Sequence, residues 1–177
     1  MKEDTSGATL VELIVAFALI SIFAAGVTQV FSTVFHIYRD IRDLDYAMQV
    51  SDTVMDRVAG ELQDAQRNDG SERAADLLTA TDRVRFTDRD GTEAEISLEN
   101  HLLNITSYDA SGTAETVFAF DKNMYMGYEI EEIKFETPDG YPDHIIRISL
   151  SLKKTSDSYT YTTTRYISCF NFADYSG

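Results

Sequence analysis

Two periodicities divide the chain. From Leu13 to Phe35 it is apolar almost without interruption; Gln29 is the only strongly polar residue, and Ser21, Thr28, Ser32 and Thr33 are able to bond back to a helix. No charge follows Glu12 until Arg39. At about 1.5 Å rise per residue, this run is long enough to cross a bilayer core of roughly 30 Å. Past it, Ile37, Ile41, Leu44, Met48, Met55, Val58, Leu62 and Ala65 recur in steps of four and three, with Ser51 in the one gap. That is the stripe of an amphipathic helix. Arg39, Asp40, Arg42, Asp43, Asp45, Asp52, Asp56, Arg57 and Glu61 occupy the other face. The pattern predicts one helix from residue 8 to about 66, roughly 90 Å long. Residues 8–35 are its transmembrane half and residues 36–66 its amphipathic half, with the second part packed on a sheet. Asn68-Asp69-Gly70 is the stop signal.

From Val84 the period falls to two. Val84 and Phe86 lead into the turn Asp90-Gly91, with a return strand near Ala94–Leu98. Leu102–Tyr108 and Thr116–Phe120 flank Asp109-Ala110-Ser111-Gly112, a second hairpin. Glu129–Thr137 runs into Pro138-Asp139-Gly140, a third turn. His144, Ile146, Ile148, Leu150 and Leu152 then alternate with more polar neighbours, and Tyr159–Phe172 supplies a final strand or two. Residues 71–82 read as a polar link. The expected fold class is α+β: a long N-terminal helix packed on a mainly antiparallel sheet in a head over residues 67–177. No internal repeat is visible.

Charge and chemistry change this picture little. The 177-residue chain carries a net charge of −15, which repels phosphate backbones, so no direct nucleic-acid contact is expected. Its single cysteine, Cys169, has no internal disulfide partner and lies in an apolar-aromatic stretch, so it reads as a core residue. His36, His101 and His144 lack metal-ligand spacing. Asp88, Asp90, Glu93 and Glu95 gather oxygens about a turn but lack the full spacing of a calcium loop. Glu129, Glu131 and Glu132 read as edge charges that discourage strand pairing. Tyr125, Tyr128, Tyr141, Tyr159, Tyr161 and Tyr166 read as half-buried sheet residues or a contact surface. No nucleophile elbow, phosphate loop or dinucleotide motif occurs. The residues therefore imply no enzyme, no metal and no cofactor.

The N-terminus does carry a recognisable pattern. Gly7-Ala8-Thr9-Leu10-Val11-Glu12, followed by the apolar run, resembles the processing site of type IV prepilins and type II secretion pseudopilins. The resemblance covers roughly residues 7–35. It implies a leader over residues 1–7, cut between Gly7 and Ala8 by a prepilin peptidase that then methylates the Ala8 amine. It makes Glu12 the fifth mature residue, the assembly acid of the family. It further implies other pilin subunits, an inner-membrane platform and an assembly ATPase as partners, and lipid before assembly. The N-terminus would be cytoplasmic and the head extracytoplasmic, on a filament of the pilus, competence or secretion type. Three residues depart from the family pattern. Ala8 stands where Phe is usual, Glu3 and Asp4 outweigh Lys2 in the leader, and no proline interrupts the helix near Gln29.

Physical chemistry supports the same reading of Glu12. A carboxylate within an apolar segment costs on the order of 3 kcal/mol if deep. Cleavage frees an ammonium at Ala8, and meeting the amine of a neighbouring subunit removes an unpaired charge from lipid. The alternative reading is a single-pass membrane-anchored extracellular binding module or receptor with an uncleaved anchor.

Overall fold

The structure is a computed structural model that describes residues 10–67, 73–109 and 111–172; the side chains of residues 116–118 lie outside that description. Helix α1 spans Leu10–Gln63. Eight strands follow: β1 Leu78–Ala80, β2 Arg83–Thr87, β3 Glu93–Glu99, β4 Leu102–Tyr108, β5 Ala114–Ala119, β6 Tyr128–Glu136, β7 Ile145–Lys154 and β8 Thr160–Ser168. They form two antiparallel sheets rather than the one expected: β1-β2-β3-β4-β5 and β6-β7-β8. The chain divides at Asp43/Leu44 into two units, each described on its own below.

In the second unit, from Leu44 on, one face of the helix enters the core through Ala47, Val50, Ser51, Val54, Met55, Val58, Ala59 and Leu62. The buried face is rotated slightly from the expected stripe. Met48 remains 46% exposed, while Ala47, Val50 and Val54, absent from that stripe, are buried. Steps of strictly three and four follow a period of 3.5, whereas a helix turns every 3.6 residues, so a core face drifts across such a stripe. The helix meets Val84, Phe86, Ile96, Leu103 and Ile105 of the first sheet and Ile130, Ile133, Phe135, Ile146, Ile148, Leu150 and Leu152 of the second in one contiguous core. Alternation in β7 is strict, with Ile146, Ile148, Leu150 and Leu152 inward.

The helix ends at Gln63, three residues before the expected end; the Asn68-Asp69-Gly70 stop signal lies outside the described residues. The chain is drawn off by pairing. Gln66 N–H donates to Thr87 O at 2.8 Å, and Asn171 Nδ2 donates to the carbonyls of Asp64 and Ala65 at 3.3 and 3.0 Å. Arg165 of β8 pairs with Asp52 and Asp56 on the exposed side of the same helical stretch.

Turn chemistry sets the sheet registers. Asp88–Thr92 and Asp109–Thr113 are built alike. In each, one carboxylate oxygen of the Asp accepts from the amides two and four residues on, and a glycine takes positive φ, 83° at Gly91 and 78° at Gly112. The β3–β4 turn is less legible. It consists of Asn100 and His101 at φ 51° and 63°, a conformation usually left to glycine. His101 is fastened there: its carbonyl accepts from Ile130 N–H at 3.1 Å, and its Nδ1 lies 3.0 Å from Ile130 O. The poor alternation of Glu129, Glu131 and Glu132 has a structural cause, a register shift between Ile130 and Glu132 that leaves both Ile130 and Ile133 buried. These acids do lie on an edge strand, as the charge pattern predicts.

Tyr125, 1% exposed, accepts a hydrogen bond from Leu103 N–H at 2.9 Å through its hydroxyl. Tyr125→Phe leaves that buried amide without its acceptor, so we expect a loss of about 1–3 kcal/mol in the urea unfolding free energy. The Asp109 carboxyl is held below the ordinary carboxylate range, first by the Ser111 hydroxyl and then by the amides of Thr113, Ser111 and Gly112. A depressed value contributes stability that is present above the unfolded value of about 3.9 and is lost as pH falls through the lower folded one. Asp109→Asn therefore gives a flatter acid limb in the plot of unfolding midpoint against pH, with the neutral and alkaline limbs parallel to those of the parent.

Candidate assembly segment

The first unit, taken alone, is helical from Leu10 through Asp43. Propensity alone does not hold it, since an isolated helix of mixed β-branched residues is marginal in water. Three of its polar side chains are turned back on the backbone: the hydroxyls of Ser21, Thr28 and Thr33 donate to the carbonyls four residues earlier, at 2.7, 2.8 and 3.2 Å. This removes hydroxyls from competition with an apolar surrounding. The large apolar side chains from Leu10 to Ile41 are more than half exposed, Val27 excepted. The helix is long and apolar enough to cross a membrane by length and composition. Gly26 opens a shallow groove between Phe23, Val27, Val30 and Phe31, with no atom within 4 Å of the place a Cβ would take. Phe31 and Phe35 stack at 6.4 Å on one side of the helix.

Glu12 is the acid in the first turn of this helix. The first amides of a helix lack intrahelical acceptors and the macrodipole is positive there, so an acid is favoured. Gly7 and Ala8, the expected processing pair, lie outside the described residues. The structure thus presents Glu12 at the start of an apolar helix.

The head accounts for its chemical side chains by structure. Asp88 is engaged in its own turn, and Glu93 and Glu95 pair with Arg85 at 3.5 and 3.2 Å. Glu95, only 5% exposed, is also 3.3 Å from Arg83. A buried carboxylate between two arginines is compensated charge, a pairing the alternation of β3 did not announce. Among the described residues no group of three His, Cys, Asp or Glu is placed to hold a metal ion. Tyr125 and Tyr128 are buried, whereas Tyr141 and Tyr166 stack on the surface at 5.0 Å. The tyrosines therefore split between the core and the outer sheet face.

Comparison with known proteins singles out the same N-terminal stretch. Residues 4–28 match the family model described as the prokaryotic N-terminal methylation motif, the type IV prepilin-like signal motif. No curated protein and no solved structure matches the chain. Together with the motif, the long helix on antiparallel sheets is consistent with a pilin-like fold.

Cys169 is fully buried, and desolvation pushes its thiol up to about 12. At pH 8 almost none is thiolate, the reactive form. We expect iodoacetamide to leave Cys169 unmodified in the folded chain and to alkylate it once urea unfolds the head, read by intact-mass spectrometry.

Proposed function

We propose that this chain is a minor pilin or pseudopilin, a structural subunit of a type IV pilus, competence or type II secretion-like filament. The observation that carries the reading is the coincidence, in one register, of Gly7-Ala8, Glu12 and the apolar start of the helix within the motif at residues 4–28. In this reading the prepilin peptidase cuts between Gly7 and Ala8 and methylates the Ala8 amine. Residues 8–35 wait in the membrane, N-terminus inside, with the head outside. A platform protein and an assembly ATPase then move the subunit into a filament whose core is built of such helices. The exposed apolar surface of this unit supports the proposal, since a surface of that extent in water is costly and is relieved by lipid or by sister helices. The acidic head supports a role outside nucleic-acid binding, and the signal motif points to a structural rather than an enzymatic protein.

Glu12 is the centre of the mechanism. An ionised carboxylate in hydrocarbon is costly alone, and a neighbouring subunit's Ala8 ammonium offsets that cost only in the assembled state. Assembly is thereby favoured over storage in lipid, and the offset between adjacent subunits is fixed by where the two charges meet.

Mass spectrometry of the mature chain from cells containing the peptidase is expected to show a methylated N-terminal Ala8; an intact leader there sinks the reading. Glu12→Ala is expected to abolish incorporation into filaments while the head keeps its unfolding transition. If the chain were instead a receptor with an uncleaved anchor, the same substitution would leave its function untouched.

A further inference from the structure

The three-stranded sheet ends in β8, and that end is unusually open. Strand order places β8 at one margin with β7 as its neighbour. Lys154 N–H donates to Tyr159 O, and Cys169 N–H donates to His144 O. With the continuous register between them, alternation makes Tyr161, Thr163, Arg165 and Ile167 the residues hydrogen-bonded to β7. The amides and carbonyls of Thr160, Thr162, Thr164 and Tyr166 therefore face outward, and among the described residues no backbone group bonds to them. Margins of this kind are ordinarily blunted by proline, outward lysine or a bulge. β8 has none of these over its nine residues, and its one charge, Arg165, is turned to Asp52 and Asp56.

Charge leaves room for a second copy there, since the cations of these strands are each paired within the chain. The chain carries −15 overall, so copies repel over most of their surface. β7 and β8 contain no Asp or Glu; their charged residues are Arg147, Lys153, Lys154 and Arg165. The sequence of β8 is also complementary to itself when reversed. With Thr163 on a twofold axis, antiparallel pairing sets Thr162 opposite Thr164, Thr160 opposite Tyr166, and Tyr161 opposite Arg165. The first two pairs are made of residues whose amides face outward, so they fall on the hydrogen-bonded positions, about eight main-chain bonds in all. The third sets an aromatic face beside a guanidinium already held in place by two aspartates. We propose that β8 is a self-pairing strand, through which the heads of two copies of this chain join by antiparallel strand addition into one six-stranded sheet. The pairing uses the head alone and requires neither cleavage at Gly7 nor filament growth, so it stands apart from the filament reading.

Disulfide trapping tests it on the full-length chain in detergent, prepared from cells without prepilin peptidase. Thr163 would meet its own copy at a non-hydrogen-bonded position with Cα atoms about 4.5 Å apart, within disulfide range. Thr163→Cys should give a disulfide dimer on mild oxidation at least about tenfold above that of Ser149→Cys, a control on β7. Adding Thr162→Glu and Thr164→Glu, both on the solvent face, should return Thr163→Cys to the control level while Cys169 stays protected. A yield no higher than the control, a dimer that survives the two glutamates in a folded chain, or trapping to a different protein only would each overturn the proposal.

Discussion

The head depends on burial of one helical face. Between Ala47 and Leu62 the helix gives up its apolar side to two sheets at once, and each sheet presents its inward residues to that side rather than to the other sheet alone. Removal of this face from water is the dominant favourable term available to a domain with no disulfide among its described residues. Polar contacts refine the arrangement without driving it. Arg165 on Asp52 and Asp56 is an exposed pairing and contributes modestly, whereas Asn171 on the carbonyls of Asp64 and Ala65 satisfies groups just past the helix end that the helix leaves unpaired.

The same helix has the opposite problem in its first unit. There the apolar residues face outward all round, and the hydroxyls are folded onto the backbone. Such a segment is stable only in a surrounding as apolar as itself. One continuous element thus carries two solvents' requirements: water on one side only from Leu44, and none from Leu10 through the apolar run. Within the apolar run up to Phe35, the acid at residue 12 is the one charged side chain among the described residues, costly to leave unmatched in lipid.

Much of this is written in the sequence. The long helix, the strands from Arg83 to Tyr108 and from Tyr128 to Ser168, the core role of Cys169 and the N-terminal motif follow from period, turn residues and residue order. What escapes has local causes. The first strand, Leu78–Ala80, is three residues long, too short to show a period. The Asn100-His101 turn has no glycine to announce it; its strain is supported by bonds to Ile130, which is remote in sequence. The uneven pattern of the sixth strand rests on the shift at Glu131, where one extra residue breaks the alternation. Glu95 is polar in a buried position, and only the positions of Arg83 and Arg85 across the strand pair explain it. The expected processing pair, Gly7 and Ala8, rests on sequence alone.

The fastening of the helix by Arg165 and Asn171 has a consequence for biosynthesis. These partners of Asp52, Asp56, Asp64 and Ala65 are separated from them by 106 to 113 positions. The helix leaves the ribosome well before β8 and the residues that clasp its far end. The apolar helix of a nascent chain is therefore made roughly a hundred residues before the side chains that clasp its far end.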